Sequence, residues 1–489
     1  MPSISDLPAE IIIKISRSLT TQDLGNLRLA SKRTEAATFL PFAREFFFKK
    51  QFMLTEPSLQ TLIDIAEHPQ LGPQLSHLVL GLDGFAENNP LSWNFNVEGT
   101  QDQVAELTTR HSAQICLLQS GEAREMLAHA LQRLPGLQTI GIRDFCSNTR
   151  NRDRGAWRSY GSVAAQNATG LPMDMRAHAG PTATAVFPIV IRALASAQRT
   201  GVDLEVILRT TGEGLTDNAF ALSSFTRHQT LPVVKSLRKL HLDVRLITPH
   251  TMSFHDGADS QDNHLDSWLL KSHLQSFLSQ ASSLEWLRLN MKHGWENPEK
   301  PRLLLSWIAL PLSKPVPVPG HFVAALKRLD LGDVWASRAL YWAVINKFKD
   351  TLEALSLWNT KITISAAQYE DRLDQWTQLF KQLAGLPHLK EVTLGRLRVF
   401  PDYPTLDCRR GPQLGLGAGG DGPETHYRGK GAADFLQQLA NHAQLDWDPL
   451  KPRATHAGTM EDDEDDNDSD EGSSEFNASG DDDAMDEDA

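Results

Sequence analysis

Apolar side chains recur at intervals of three or four residues through the first fifty positions of the chain. This spacing places them on one face of a helix, and a second helical segment opens with Thr20 and Asp23. A threonine followed three residues later by a carboxylate is a helix start signal. Phenylalanines fill a third helical stretch at 43–53. The pattern predicts three short helices whose apolar surface must pack on the next domain or on a partner. The first run comprises Leu7, Ile11, Ile12, Ile15 and Leu19.

From residue 53 onward a helical segment precedes each of several Leu-x-x-Leu-x-Leu runs. The third apolar residue of such a run would lie about 140° around a helix from the first, whereas a strand places the second and third on one face. Each run is therefore interpreted as a short strand. The runs are Leu75–Leu78–Leu80, Leu137–Ile140–Ile142, Leu237–Leu240–Leu242, Leu284–Leu287–Leu289, Leu326–Leu329–Leu331, Leu352–Leu355–Leu357 and Leu389–Val392–Leu394. Helices are predicted before them at 58–68, 122–134, 266–280, 340–348 and 369–383.

These repeated units predict an α/β (α+β) solenoid of the leucine-rich type over residues 53–400, each unit burying its apolar face on its neighbours. Chance recurrence in a leucine-rich chain is the alternative. Successive first leucines lie 26 to 100 residues apart, whereas regular arrays repeat every ~20–29 residues. The predicted repeats are therefore degenerate, with an insertion loop at 148–180 and a further strand near 204–207. No asparagine stands eight residues after any first leucine, so a regular asparagine ladder is not expected.

The C-terminal part changes character in three steps. Residues 402–431 are rich in glycine and proline and predict a loop or linker, while 432–447 predict a final helix. Residues 455–489 predict a disordered acidic tail, because a run of like charges repels itself and buries little surface. The net charge is -13, but residues 461–489 hold 16 acidic and no basic residues. The remainder has 45 acidic against 48 basic residues, so it offers no global basic field for nucleic acid.

The N-terminal helical pattern resembles the F-box over residues 4–50. The continuation of the sequence past Phe52 and through His77 is similar to F-box proteins of filamentous fungi. The resemblance implies a substrate receptor of an SCF-type cullin–RING ubiquitin ligase, in which the F-box docks on a Skp-family adaptor and a C-terminal repeat domain holds the target. The matching residues run Leu7-Pro8-x-Glu10-Ile11-Ile12-x-x-Ile15, then Leu19, Asp23-Leu24-x-x-Leu27 and Ala30-Ser31-Lys32.

The resemblance also implies which side chains meet the adaptor. Thr34 departs from the family pattern, since many F-boxes place a large residue at this position. The alternative is that these helices only cap the solenoid, whose terminal repeats need a polar outer face. In that case the chain is an interaction scaffold with no ubiquitin role. The residues at the family's adaptor-contact or core positions, taken here as the adaptor-binding set, are Leu7, Pro8, Ile11, Ile12, Ile15 and Leu24.

The residues between the buried leucines of the predicted strands point away from the core and form the expected target-binding wall. Two tryptophans and two arginines fall on this wall, and these residue types are the most enriched at binding hot spots. A shift of register by one residue, or cover from the chain's own insertions, would remove the patch. The predicted substrate-binding patch is Trp286, Arg288, Arg328 and Trp358.

No motif in the sequence indicates a catalytic, metal-binding or cofactor-binding site. The histidines and aspartates between His255 and Asp266 lack the spacing of a calcium loop or a paired-histidine site and predict a polar loop. The glycines of 415–420 lack the strand, helix and lysine of a phosphate cradle and predict a linker. An enzyme built on the repeats is a further alternative, which would need converging titratable groups such as His241 and Asp243, but a His–Asp spacing of two on one strand is common by chance. A non-catalytic adaptor is therefore expected.

The last sequence features are a short basic stretch and the signals that bear on where the protein is located. Arg150, Arg152, Arg154 and Arg158 are expected in a solvated loop. The alternatives are binding of a phosphorylated or acidic segment, or of RNA, for which four arginines with Asp153 among them are few. Three dispersed cysteines argue against a disulfide framework, and the N-terminus lacks a signal-peptide pattern. The apolar run at 303–312 is too short to span a bilayer. We expect a cytoplasmic or nuclear protein that binds a Skp-family adaptor, through it a cullin, and an unknown protein substrate, with no membrane or nucleic-acid partner.

Overall fold

The computed structural model describes two compact units. The first comprises residues 1–208, 214–242 and 276–284, and the second comprises 209–213, 243–275 and 285–489. The predicted acidic tail at 455–489 lies outside the described residues. The described residues are 4, 7–85, 101–146, 152, 158–170, 173, 175–176, 179–210, 212–246, 272–292, 299–310, 320–322, 324–364, 372–401, 413–416 and 424–447.

The first unit opens with three helices and continues with alternating strands and helices. Strands β1 to β5 are parallel neighbours in chain order. Helix α10 and strand β5 each cross the boundary between the units. The elements are α1 (Ala9–Arg17), α2 (Thr21–Ala30), α3 (Lys32–Phe47), β1 (Lys49–Met53), α4 (Glu56–Glu67), β2 (His77–Gly81), α5 (Gln101–Ser120), α6 (Glu122–Leu131), β3 (Thr139–Arg143), α7 (Ser162–Thr169), α8 (Ala179–Ser196), β4 (Asp203–Ile207), α9 (Arg227–Ser236), β5 (Lys239–Val244) and α10 (His273–Gln280).

The core of the first unit lies along α8. By length and composition this helix could cross a membrane, and its apolar window is longer than the run at 303–312, but 56% of it is buried inside the unit. Its Phe187 packs against Phe220 and Phe277, with ring centroids 5.2 and 5.8 Å away. Aromatic pairs at such distances contribute beyond their buried area. These contacts are those of a core helix.

The second unit contains two sheets. In the first, β6, β7, β9 and β11 are parallel and β14 closes the order antiparallel to β11. The second sheet has the order β15-β13-β12-β10-β8. The elements are β6 (Trp286–Met291), α11 (Glu299–Ala309), β7 (Arg328–Gly332), β8 (Trp335–Ala336), α12 (Arg338–Lys347), β9 (Ala354–Trp358), β10 (Lys361–Ile364), α13 (Arg372–Ala384), β11 (Glu391–Gly395), β12 (Arg398–Pro401), β13 (Gln413–Gly415), β14 (Glu424–Arg428), α14 (Ala432–His442) and β15 (Gln444–Trp447).

A repeated corner connects the two sheets of the second unit. Asp333, Asn359 and Arg396 follow β7, β9 and β11 with φ of 52°, 48° and 51°. The left-handed conformation turns the chain so that β8, β10 and β12 start two residues later. The Asp333 N–H donates to Trp358 O at 3.1 Å and the Asn359 N–H to Gly395 O at 2.8 Å, which links neighbouring corners. The corner residue stands seven positions after the first leucine, one before the position that the sequence pattern indicated.

Each of the seven apolar runs forms a strand, and so does 204–207. The third predicted helix at 43–53 is wrong in its second half, because α3 ends at Phe47 and β1 follows. Phe52 and Met53 are fully buried, and β1 pairs along its whole length with β2. Pairing and burial therefore override the local helical pattern.

Three predicted irregular or helical segments are also corrected. The interval 148–180 contains α7 and the start of α8, and Ala165 of α7 packs with Met53 in a small buried cluster. The interval 402–431 contributes β13 and β14, which glycine-rich flanks hid from pattern analysis. The predicted helix at 432–447 ends at His442, where Ala443 takes a non-helical conformation and β15 begins.

Candidate functional site

The three N-terminal helices are held by their own caps and by a buried threonine. The Asp23 N–H donates to Thr20 Oγ1 at 3.1 Å and the Thr34 N–H donates to Ser31 Oγ at 3.1 Å, so α2 and α3 begin where their caps stand. The Thr34 hydroxyl also donates to Leu27 O at 2.8 Å and is fully buried. Thr34 therefore fixes the α2–α3 junction from inside and leaves no place there for a larger side chain.

The six predicted adaptor-binding residues divide between surface and core. Ile11 is 43% exposed and Pro8 is exposed at the start of α1, while Leu7 and Ile15 are partly exposed. Ile12 and Leu24 are 0% and 3% exposed, so their side chains form the core of the helical unit. Their assignment as partner contacts is corrected to a structural role. Pro8 and Ile11 are the members of the set that are classed as exposed.

Two exposed leucines on this unit were not singled out by sequence reasoning. Leu29 on α2 is 87% exposed and Leu40 on α3 is 56% exposed. Leu29 stands five residues after the buried Leu24, which turns it about 140° away on the helix. That departure from the apolar period was a usable signal. Together with Pro8 and Ile11, these leucines add to the exposed apolar area of the three helices.

Residues 4–38 match the family model of the F-box domain. The chain contains an F-box domain. No curated protein matches the chain. F-box domains bind Skp-family adaptors within cullin complexes, so the domain implies, in general terms, an SCF substrate receptor. The match covers α1, α2 and the first part of α3, and it does not extend into the strands that follow.

Arg152 fastens the F-box to the segment that follows β3. Its Nε and Nη2 donate to the two carboxylate oxygens of Glu45 on α3 at 2.6 and 2.9 Å. Its Nη1 donates to Ser16 O at 2.8 Å, in the last turn of α1, and also to Leu19 O, just beyond the end of that helix. The Arg152 side chain is 8% exposed, so the expectation of a solvated arginine is wrong at this position. Arg158 is exposed, while Arg150 and Arg154 lie outside the described residues.

In the first unit, a buried ionic cluster occupies the strand face opposite the apolar one. Glu205 on β4 lies 2.9 Å from Lys239 Nζ and 3.3 Å from Arg143 Nη2. The imidazoles of His77 and His241 approach the same carboxylate at 3.6 and 3.8 Å. The outward register of β2, β3, β4 and β5 brings these five residues together.

The cluster shifts the ionisation of its members. Burial opposes the charge of Glu205, but His77, His241, Lys239 and Arg143 more than offset this and hold its pKa below the ordinary range. Burial lowers the pKa of His77 to about 3, with Arg143, Lys49 and Lys239 adding to the effect against the attraction of Glu205. His77 is therefore neutral at physiological pH. The cluster combines a paired carboxylate with two basic side chains and lies on the face that carries no leucines.

The predicted substrate patch lies on the corresponding strand face of the second unit. The Arg328 guanidinium stacks over the Trp286 ring, 4.4 Å from its centroid. Arg328 also bonds Asp330 at 3.1 Å and Glu391 at 3.0 Å. The Trp286 N–H donates to Asp330 Oδ2 at 2.7 Å. Trp286 and Arg328 thus form one bonded group at the N-terminal ends of β6, β7 and β11.

The other two predicted residues lie farther along the strands. Arg288 is 4% exposed and stands in register with Asp330, so it lies beneath the surface of the patch. Trp358 is partly exposed, in register with Gly395, where the ring covers the space that a β-carbon would need. Burial raises the pKa of Asp330, while Arg328 and the Trp286 N–H favour its charged form. The structure therefore joins Trp286 to Arg328, and places Arg288 and Trp358 in the next two rows.

The remaining candidates from the sequence are the possible metal-binding, phosphate-binding and catalytic residues. Among the residues that the structure describes, no group of three or more His, Cys, Asp and Glu side chains could hold a metal ion. The polar stretch from His255 to Asp266 and the glycines at 417–420 lie outside those residues. His241 and Asp243 are 4% and 1% exposed, so both side chains are withdrawn from solvent.

Proposed function

We propose that this protein is a non-catalytic substrate-receptor subunit of an SCF-type cullin–RING ubiquitin ligase. The observation that carries the proposal is the F-box match at residues 4–38, on helices that expose Pro8 and Ile11. Holding a target and the ubiquitin-carrying enzyme on one scaffold raises their effective concentration. The proposal places the protein in the cytoplasm, the nucleus or both, where the ubiquitin machinery acts.

The part after the F-box is proposed to be a degenerate leucine-rich-repeat-like solenoid. Support comes from the parallel strands β1 to β5 in the first unit and from the repeated corners of the second. In the second unit the segments β7–β8, β9–β10 and β11–β12 each consist of a strand, a residue in the left-handed conformation and a second strand. Such units bury their apolar faces on their neighbours, as repeat proteins do. The leucine-free strand face is then the natural binding wall.

The adaptor contact is tested by reversing the apolar character of one exposed residue. We expect Ile11→Asp to reduce binding of the full chain to a purified Skp-family adaptor by at least ~100-fold, because a buried, unpaired carboxylate is costly in an apolar contact. Isothermal titration calorimetry measures the change. The matched control is Ile115→Asp on α5, since Ile115 is 37% exposed against 43% for Ile11. Binding that survives Ile11→Asp, or is lost equally in both variants, contradicts the proposed contact.

The alternative is an interaction scaffold with no ubiquitin role, in which the helices only cap the unit. The docking of Arg152 on α1 and α3 is the observation that favours a cap, because it ties the helices to the rest of the first unit. The same calorimetric experiment separates the two. A folded wild-type chain that fails to bind any Skp-family adaptor supports the scaffold and removes the ligase assignment.

The substrate surface is proposed to be the patch of Trp286, Arg328 and Trp358, supported from below by Arg288. In a Trp358→Ala/Arg328→Ala variant we expect target proteins to be recovered at least ~10-fold less, since aromatic and arginine anchors dominate interface energies. Quantitative affinity purification against the wild type measures this, with adaptor recovery as the internal standard. Lys327→Ala is the control, because Lys327 neighbours Arg328 in the chain and is exposed. Equal loss in the control would contradict the assignment.

A further inference from the structure

Strand β14 ends the first sheet of the second unit with an open backbone edge. It pairs antiparallel with β11, and the Gly429 N–H donates to Lys390 O at 2.9 Å just beyond the strand. Because backbone groups alternate in direction along an antiparallel pair, Thr425 and Tyr427 direct theirs toward β11. Glu424, His426 and Arg428 direct theirs to the other side. No strand of the described part of the chain pairs with that side.

The side chains of the outward-directed residues are available at the surface. Glu424, His426 and Arg428 are exposed, and the Arg428 side chain is 80% exposed. Tyr427, which alternates with them, stacks on Phe435 of α14 with centroids 4.9 Å apart. One face of β14 is thus covered by its helix, and the other presents a glutamate, a histidine and an arginine beside an open edge.

The order of these charges is self-complementary. Two copies of β14 laid antiparallel about His426 place Glu424 of each copy opposite Arg428 of the other. Opposite charges that face each other across strands stabilise the pair, and like charges destabilise it. Open strand edges are templates for a second chain, and charges usually prevent such pairing. In this arrangement the opposite charges at the two ends of each strand face opposite charges on the second copy. A partner strand of uniform charge would face a like charge at one of the two ends.

We propose that β14 is the contact strand of a homodimer, in which two copies of the chain pair edge to edge and antiparallel about His426. The contact is isologous, as the two-fold symmetry of most homodimers requires. A single pair of five-residue strands buries less than the about 1,600 Å² of a standard interface. The dimer is therefore reversible and concentration-dependent. This proposal stands apart from the proposed ligase function.

The test is sedimentation equilibrium of the full chain over a wide concentration range with charge-reversal variants. Glu424→Arg and Arg428→Glu each replace two attractive contacts with two repulsive ones, so each is expected to weaken the dimer by about tenfold or more. An equimolar mixture of the two variants restores pairing, because arginines on one chain then face glutamates on the other. The double variant Glu424→Arg/Arg428→Glu also restores it. The Glu424 reversal leaves the Arg428–Glu391 contact of 3.6 Å in place.

Two further variants separate edge pairing from other causes. His426→Pro removes an N–H that points to the open edge and leaves the bonds of Thr425 and Tyr427 to β11, so it abolishes the dimer while the chain stays folded. Lys349→Glu, an exposed reversal on the same unit, leaves the dimer unchanged. A wild type that is monomeric at all concentrations, or single reversals that dimerise as the wild type does, overturns the proposal. Sedimentation of Ile11→Asp is the link between the two proposals. If this variant dimerises as the wild type does, the β14 contact is independent of the adaptor contact of the proposed function.

Discussion

Arg152→Ala is expected to lower the free energy of unfolding of the first unit by about 2 kcal/mol. The arginine spans the Glu45 carboxylate and two carbonyls at the end of α1, and all three acceptors lose their donor together. Removing one partner of a buried pair costs about 3–5 kcal/mol, whereas an exposed pair is worth at most about 1. The Glu45 side chain is 30% exposed, which places the expected cost between these limits. Urea unfolding followed by circular dichroism measures it.

The matched control comes from the same segment. Arg158 is exposed, and its Nη1 lies 3.4 Å from Gln166 Oε1, so Arg158→Ala should change the free energy by no more than about 0.5 kcal/mol. Arg152→Lys should recover only part of the loss, because one ammonium group lacks the planar fork that reaches the carboxylate and both carbonyls. Equal stability of the two alanine variants would show that the observed bonds contribute nothing.

Arg152 also shows where sequence reasoning reaches its limit. Its partner Glu45 is 107 positions away, and no local pattern distinguishes it from the other arginines of the segment. The leucine runs were predictable because the alternation of apolar and other residues over about five positions indicates which side chains of a strand are buried. The short strands β8, β10 and β12 were not, since each has two to four residues and follows a left-handed turn rather than a recognisable turn sequence.

The two strand faces illustrate the same difference. The outward positions of His77, Arg143, Lys239 and His241 could be read from their spacing to the leucines. The strand of Glu205 was predicted near 204–207, but it lies within the longest gap between leucine runs and carries no complete run, so the face of Glu205 was not assigned. Without the carboxylate the sequence indicates four dispersed basic side chains, and with it the structure shows a compact ion cluster. The adaptor residues behave similarly, because helical spacing alone does not show that Ile12 is buried while Ile11 is exposed.

The ion cluster predicts a loss of stability in mild acid. His77 is neutral in the folded chain because burial, together with Arg143, Lys49 and Lys239, lowers its pKa to about 3. In the unfolded chain the imidazole takes up a proton near pH 6.5. The unfolded state therefore binds more protons between these values, and stability falls as the pH drops below about 6.5. At pH 5 the deficit is about 2 kcal/mol, from one and a half pKa units at ~1.36 kcal/mol each.

Glu205 acts in the same direction at lower pH. Its folded pKa is held below the ordinary value, so the stability that its charged form contributes is lost as the pH falls below about 4.5. The window between pH 7.5 and 5 therefore separates the contribution of His77 from that of Glu205. Within it, His77→Gln should remove about 2 kcal/mol of the pH dependence of the free energy of unfolding, because an amide does not titrate. Urea unfolding at a series of pH values provides the measurement.

A second histidine of the same unit supplies the comparison. His129 on α6 is 45% exposed and lies 2.9 Å from Glu67, so His129→Gln removes an imidazole without touching the buried cluster. The drop between pH 7.5 and 5 should persist in this variant and flatten in His77→Gln. If both variants keep the full drop, His77 is not the group that takes up the proton. His77 lies on β2 and contacts Glu205 across β3. Protonation of His77 would add a fourth positive charge to those of Arg143, Lys239 and Lys49, and burial of the imidazole also disfavours its charged form. The folded state therefore disfavours a protonated His77.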